Sequence, residues 1–118
     1  MKLVEAIAKK LKSMKSIKIA ILYGSQATGK ARKDSDIDIC VIGIDSEAEM
    51  KALEYGSDKV DISPFSRLPT YIQYRVFRDG RVLFNKDDKL LTRKKFWAIT
   101  WYLDEKHWRD RLTQKVLS

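Results

Sequence analysis

Two short runs rich in β-branched residues, Ile17-Lys18-Ile19-Ala20-Ile21-Leu22-Tyr23 and Asp36–Ile42, constrain this chain more than any other feature. Each has the length and residue types of a strand. The first stops at Gly24, and the second is entered through Asp36-Ile37-Asp38. Side chains alternate faces along a strand. Ile37, Ile39 and Val41 therefore point one way, toward a core, and Asp36 and Asp38 point together the other way. A sheet built from this strand carries two adjacent carboxylates on one face.

The remaining elements follow from periodicity and punctuation. Leu3, Ile7, Leu11 and Met14 make one stripe of an amphipathic helix over residues 3–14. Ser25 to Ala31 is small, polar and interrupted by Gly29, as suits a loop or short helix. Ser46-Glu47-Ala48-Glu49 matches a capping box, which predicts a helix to about Tyr55. Lys59 to Ser63 is a short third strand ended by Pro64, and a helix is expected from about Leu68 to Arg78. Asp79-Gly80 is a turn, Arg81 to Phe84 a fourth strand, and Leu90 to Val116 a long helix. This order predicts an α/β (α+β) fold, a small mixed sheet with helices packed on it. A length of 118 residues suits a single domain over 1–118, with its core at 17–85 and the C-terminal helix at about 90–116.

Charge and cysteine usage narrow the partners. The 24 Lys and Arg against 16 Asp and Glu leave a net charge of +8, which favours anionic partners without choosing among nucleotides, nucleic acid and acidic proteins. Cys40 is alone in an apolar run and reads as a small buried hydrophobe, so no internal disulfide can form. With one Cys and one His, His107, a zinc site is not expected. No apolar stretch approaches the ~20 residues of a membrane helix, and the Lys-rich N-terminus lacks a signal-peptide core. A cytoplasmic protein is expected.

The chemistry concentrates between residues 24 and 38. Two neighbouring carboxylates repel, and a hard cation neutralises them. Mg²⁺ uses few carboxylates and keeps positions for water and substrate phosphates. Upstream, a strand ending in Gly24-Ser25 offers backbone N–H groups and a hydroxyl to an anion, and Gly24 allows its close approach. Either element alone is a common surface feature. Together they are Gly-Ser at a strand end, ten residues, then Asp-x-Asp on the next strand.

This combination resembles the nucleotidyltransferase superfamily that includes DNA polymerase β. The closer resemblance is to its minimal (MNT-type) members, whose loops often read GSxAxGxAR-x-DSDID. Ala27, Gly29, Ala31, Arg32, Asp34, Ser35 and Ile37 fit that pattern too, whereas Gln26 stands where many relatives carry Arg. Arg75 to Phe84 is similar to the family's helix, glycine turn and short strand, so the resemblance covers about residues 17 to 85. It implies the nucleotidyltransferase fold and a third carboxylate on a following strand. Asp61, flanked by Val60 and Ile62, suits that place better than Asp58 at the strand's beginning.

The resemblance further implies transfer of a nucleoside monophosphate, AMP from ATP, to an acceptor hydroxyl. Gly24 and Ser25 would bind the nucleotide phosphates. Asp36, Asp38 and Asp61 would be the catalytic acids and the ligands of two Mg²⁺ ions. Lys30, Arg32 and Lys33 are candidates to stabilise pyrophosphate. MNT-type proteins are commonly antitoxins that inactivate a HEPN-domain RNase toxin by adding AMP to a tyrosine. That implies a HEPN-domain toxin protein as partner here. The alternatives are a nucleotidyltransferase acting on RNA or a small molecule, and a non-catalytic NTP-binding antitoxin. Aminoglycoside-modifying relatives usually carry an extra helical domain, and a tRNA-tailing enzyme needs a larger RNA surface.

The C-terminal helix adds one more expectation. Leu90, Trp97, Trp101, Trp108 and Leu112 share one stripe, and Phe96, Ile99 and Leu103 another. One stripe should pack on the sheet, and the other is either covered by the N-terminal helix or left for a homo-oligomer or toxin contact.

Overall fold

The computed structural model describes residues 2–29 and 36–117. Five helices, α1 (Lys2–Ser13), α2 (Ser25–Thr28), α3 (Ser46–Lys51), α4 (Thr70–Asp79) and α5 (Asp88–Leu117), alternate with four strands. The strands are β1 (Ile17–Tyr23), β2 (Ile37–Gly43), β3 (Val60–Pro64) and β4 (Arg81–Asn85). Single 3₁₀ turns at Ala52–Tyr55 and Phe65–Arg67 follow α3 and β3. The four strands form one mixed sheet in the order β3-β2-β1-β4. Strand β1 pairs antiparallel with both β2 and β4, and β2 pairs parallel with β3.

Both faces of the sheet are covered. One face buries Ala20, Leu22, Ile37, Ile39, Val41, Val60 and Ile62 against Val4, Ile7 and Leu11 of α1 and Ala48 of α3. The other buries Ile19, Ile21, Cys40 and Ile42 beneath Phe65, Val76 of α4, and Leu90 and Ala98 of α5. Cys40 is a fully buried free thiol, as its apolar surroundings predict. On the α4/α5 face, β2 places Asp38, Cys40 and Ile42 in line, so helices cover this face except at its Asp38 end. Gly80 lets the end of α4 lie against β1, because a Cβ there would meet the Val76 carbonyl and the Ile21 side chain.

Several boundaries differ from expectation for local reasons. Val4, not the exposed Leu3, joins Ile7 and Leu11 on the buried stripe of α1. The cap of α3 is Asp45 rather than Ser46, and its side chain accepts a 2.8 Å bond from the Ala48 N–H. The frame therefore moves by one residue, and Glu49 turns inward. There it accepts from the Gly43 N–H (3.1 Å), the Ser66 N–H (3.0 Å) and the Ser66 hydroxyl (2.7 Å). Helix α4 begins at Thr70 because Pro69 keeps Leu68 extended. Helix α5 begins at Asp88, with the Asp87 side chain accepting from the Leu90 N–H.

The long helix departs most from expectation. Of the stripe of Leu90, Trp97, Trp101, Trp108 and Leu112 only Leu90 packs into the core on the sheet, and Phe96 and Leu103 of the other are exposed. Ala98 makes the close approach to the α4/α5-face core, and Tyr102 stacks on Tyr74 of α4 at 4.1 Å. Phe96, Trp97, Trp101, Leu103, Trp108 and Leu112 are exposed, as is every described side chain from Leu103 onward. Thirty residues of helix span about 45 Å, and the sheet is too small to underlie them. The radius of gyration of 15.8 Å therefore exceeds the ~13.5 Å of a compact chain of this length.

Candidate active site

The open end of the α4/α5 face is built by three adjacent strands. Antiparallel register sets Tyr23 opposite Asp38, and parallel register sets Asp38 opposite Asp61. Tyr23, Asp38 and Asp61 thus form a row across β1, β2 and β3. Asp36 lies just before β2 and is exposed. Asp58 lies in the bend before β3 and takes no place in that register.

At the end of β1 the chain turns through Gly24 (φ 74°, ψ −153°) into the single turn of α2. That backbone region is open almost only to glycine. Space demands glycine as well, because a Cβ at this position would stand 2.7 Å from Asp38 Oδ2. The Gly24 carbonyl accepts from the Ala27 and Thr28 N–H groups, which fixes α2 against the acidic row. Ser25 opens α2, half-buried, immediately beside this contact.

Electrostatics tie the acids together. Burial raises the Asp38 carboxyl above its ordinary value, and the charges of Asp61 and then Asp36 raise it further. Tyr23 is pushed up to about 12, chiefly by burial. The charges of Cys40, Asp38 and Asp61 add to that, while a 3.3 Å hydrogen bond to Ser63 Oγ opposes it. Tyr23 therefore stays a neutral hydroxyl beside the acids.

Among the described residues no three His, Cys, Asp or Glu side chains converge as a ready-made metal cage. The donor chemistry fits a cation of another habit. Asp38 and Asp61 face each other across one ladder, Asp36 adds like charge, and a hard divalent ion would relieve the repulsion that raises Asp38. Mg²⁺ is held by one or two carboxylates and completes its shell from water and phosphate oxygens.

Beside the acids, on the far side of Gly24, lies a cavity of about 230 Å³ lined by Tyr23, Gly24, Thr28, Ile72, Arg75, Arg78 and Asp79. Larger hollows follow α5, and none of them is lined by Asp36, Asp38 or Asp61. The structure thus brings Gly24, Ser25, Asp36, Asp38 and Asp61 to one end of the sheet. Lys30, Arg32 and Lys33 lie outside the described residues. Tyr23, Ser63 and Arg75 did not stand out in the sequence. The signal for Tyr23 was available, since antiparallel pairing around the Gly24 turn puts the last residue of β1 opposite the Asp-x-Asp strand.

A family profile described as "Polymerase beta, Nucleotidyltransferase" matches residues 5–89. The chain is 37% identical over 90 residues to a protein of Methanocaldococcus jannaschii named "Putative protein adenylyltransferase", which spans 76% of this chain and 68% of that one. Solved structures share the fold. A toxin–antitoxin structure with AMP-PNP superposes with a TM-score of 0.75 at 21% identity over 100% of both chains. An MNT antitoxin in complex with the tri-AMPylated HEPN toxin of Shewanella oneidensis superposes with a TM-score of 0.68 at 20% identity, over 99% of this chain and 98% of that one.

Proposed function

The chain belongs to the polymerase β nucleotidyltransferase family, and on that premise we propose that it transfers AMP from ATP to a tyrosine of a cognate HEPN-domain toxin, acting as the antitoxin. The observation that carries the proposal is the row Tyr23–Asp38–Asp61 closed by Gly24, with Asp38 destabilised as an anion by burial first and then by its acidic neighbours. Support comes also from the neighbours' partners, AMP-PNP in one case and an AMPylated HEPN toxin in another.

In this reading Asp36, Asp38 and Asp61 would hold two Mg²⁺ ions, whose chemistry would be to neutralise the triphosphate and acidify the acceptor hydroxyl. The remaining chemistry belongs to the chain. Gly24 leaves room for phosphate oxygens at the end of β1, and Ser25 donates to them. Asp61, exposed on the outer side of Asp38, accepts the proton of the acceptor hydroxyl. The hydroxyl oxygen bonds to the α-phosphorus, the bond to the β-phosphate oxygen breaks, and pyrophosphate leaves. Tyr23, neutral and tied to Ser63, keeps the floor of the site free of further negative charge.

No helix among the described residues is long and apolar enough to cross a membrane. We place the reaction in the cytoplasm, where ATP is available. The exposed aromatic face of α5 is the surface offered to a toxin or a second copy.

The test is AMP transfer measured by intact mass on purified HEPN partner with Mg²⁺ and ATP. A partner tyrosine should gain AMP with the wild-type chain and not with Asp36→Asn/Asp38→Asn. Equal transfer by that variant, or none by the wild type, would refute the proposal.

A further inference from the structure

The cavity beside Gly24 contains charge that the acidic row does not use. Its charged lining is Arg75, Arg78 and Asp79. Arg78 is already committed, since its Nε lies 3.0 and 3.1 Å from the two Asp79 carboxylate oxygens and its Nη2 lies 2.7 Å from Oδ2. Asp79 is thus the carboxylate that Arg78 faces. Arg75, one turn earlier on α4, makes no ion pair with any described carboxylate. Its guanidinium lies 5.8 Å from the centre of the Tyr71 ring, and a ring face does not satisfy the in-plane N–H donors. Among the described lining residues Arg75 is therefore a cation on the α4 wall of a cavity also lined by Gly24 and Thr28.

The geometry points to Arg75 as the clamp for the terminal phosphates of the nucleotide, a positioning role that rests on the nucleotidyltransferase reading. Two electrostatic regions meet at Gly24. On one side stand Asp36, Asp38 and Asp61, which repel bare phosphate. On the other stands a hollow lined by Arg75, which has no ion pair with a described carboxylate. A triphosphate lying over Gly24 would suit both: its inner phosphates would lie towards the acids and any cation they hold, and its outer phosphates would reach Arg75. Guanidinium suits that task because its planar fork binds phosphate oxygens in pairs. When the bond from the α-phosphorus to the bridging oxygen breaks, the charge that develops on the pyrophosphate lies beside a cation, which stabilises it as a leaving group.

The test is calorimetric binding of MgATP, Mg-tripolyphosphate and AMP to the full chain and to Arg75→Ala, Arg75→Lys and Arg78→Ala, each checked for folding by circular dichroism. Arg75 is exposed, so its replacement leaves the core intact. Arg75→Ala should weaken MgATP and Mg-tripolyphosphate by a common factor of about ten or more and leave AMP within about twofold. Arg75→Lys should recover part of that loss, and Arg78→Ala should lose less than Arg75→Ala. Unchanged MgATP and tripolyphosphate affinity in Arg75→Ala, an equal loss for AMP, or a larger loss in Arg78→Ala would overturn the assignment alone. A wild-type chain that binds no MgATP would overturn the nucleotidyltransferase reading and this inference together.

Discussion

Gly24→Ala is the sharpest single probe of this site, because two separable costs fall on one methyl group. The first is conformational. At φ 74° and ψ −153° a non-glycine residue pays about 1–3 kcal/mol. The second is contact. The new Cβ would sit 2.7 Å from Asp38 Oδ2, and ordinary van der Waals contact begins near 3.4 Å, so the carboxylate must retreat by about 0.7 Å. The conformational cost alone should lower the thermal midpoint by roughly 4–12 °C, at about 4 °C per kcal/mol. The displaced carboxylate should lower transfer by roughly tenfold to a hundredfold, since misplacement on this scale is costly to catalysis. A double-mutant cycle with Asp38→Ala separates the two costs. Removing the carboxylate abolishes the contact and leaves the backbone strain, so Gly24→Ala should cost less in that background by about 0.5–3 kcal/mol. Denaturant unfolding measures the cycle, and ATP-dependent transfer measures the site. A Gly24→Ala chain as stable and as active as wild type would refute the reasoning, and a cycle with no coupling would refute the contact.

Other perturbations reach different parts of the structure. Glu49→Ala should destabilise the fold by about 2–4 kcal/mol in urea unfolding, because the buried Gly43 N–H loses its acceptor along with the two bonds from Ser66; a loss below about 0.5 kcal/mol would deny the tether. The raised Asp38 carboxyl means that the folded state keeps this proton to higher pH than the unfolded chain does, so stability falls as pH rises from the unfolded value through the folded one. Asp38→Asn should accordingly match the wild-type thermal midpoint below that window and exceed it above, and a midpoint lower than wild type at neutral pH would reverse the sign. Asp61→Asn should remove transfer while sparing much of the MgATP binding, whereas Asp58→Asn should change neither; the opposite pattern would move the third acid to the bend before β3. Trp101→Ala and Leu103→Ala should reduce self-association or partner capture in size-exclusion light scattering while the circular dichroism stays unchanged, and unaltered assembly in both would make the protruding part of α5 a free helix.

Two of the acids were legible from local rules, whereas the demand for a third came from the family resemblance. Alternation sets Asp38 on the face opposite Ile37, Ile39 and Val41, with Asp36 just before the strand, and the apolar neighbours Val60 and Ile62 mark Asp61 as a strand residue rather than a bend residue like Asp58. The errors lie where the deciding partner is distant or one residue away. Ser46 and Glu49 fit a capping box, yet Asp45 offers an equivalent carboxylate one position earlier, and only the Gly43–Ser66 gap shows why Glu49 turns inward. The stripes of α5 describe a helix with two apolar sides but carry no measure of how far the sheet extends beneath it. Arg75 and Arg78 look alike in sequence, and only the Asp79 bonds to Arg78 distinguish their pairing. The match to residues 5–89 leaves most of α5 outside it, the same part that sequence periodicity misjudged.

The pairing of β2 also acts as a safeguard during folding. Its two faces differ in kind: Ile37, Ile39 and Val41 are wholly apolar, and the other face starts with acids and continues with Cys40 and Ile42. A slip of one residue against β1 or β3 would exchange those faces. It would drive Asp36 and Asp38 beneath α1 and α3, at a cost of several kcal/mol for each unpaired carboxylate. A mispaired chain could hardly persist as a stable dead-end product. The residues that make the site chemically demanding also proofread the sheet that displays them, so transfer activity in any variant reports at once on the reaction and on correct strand alignment.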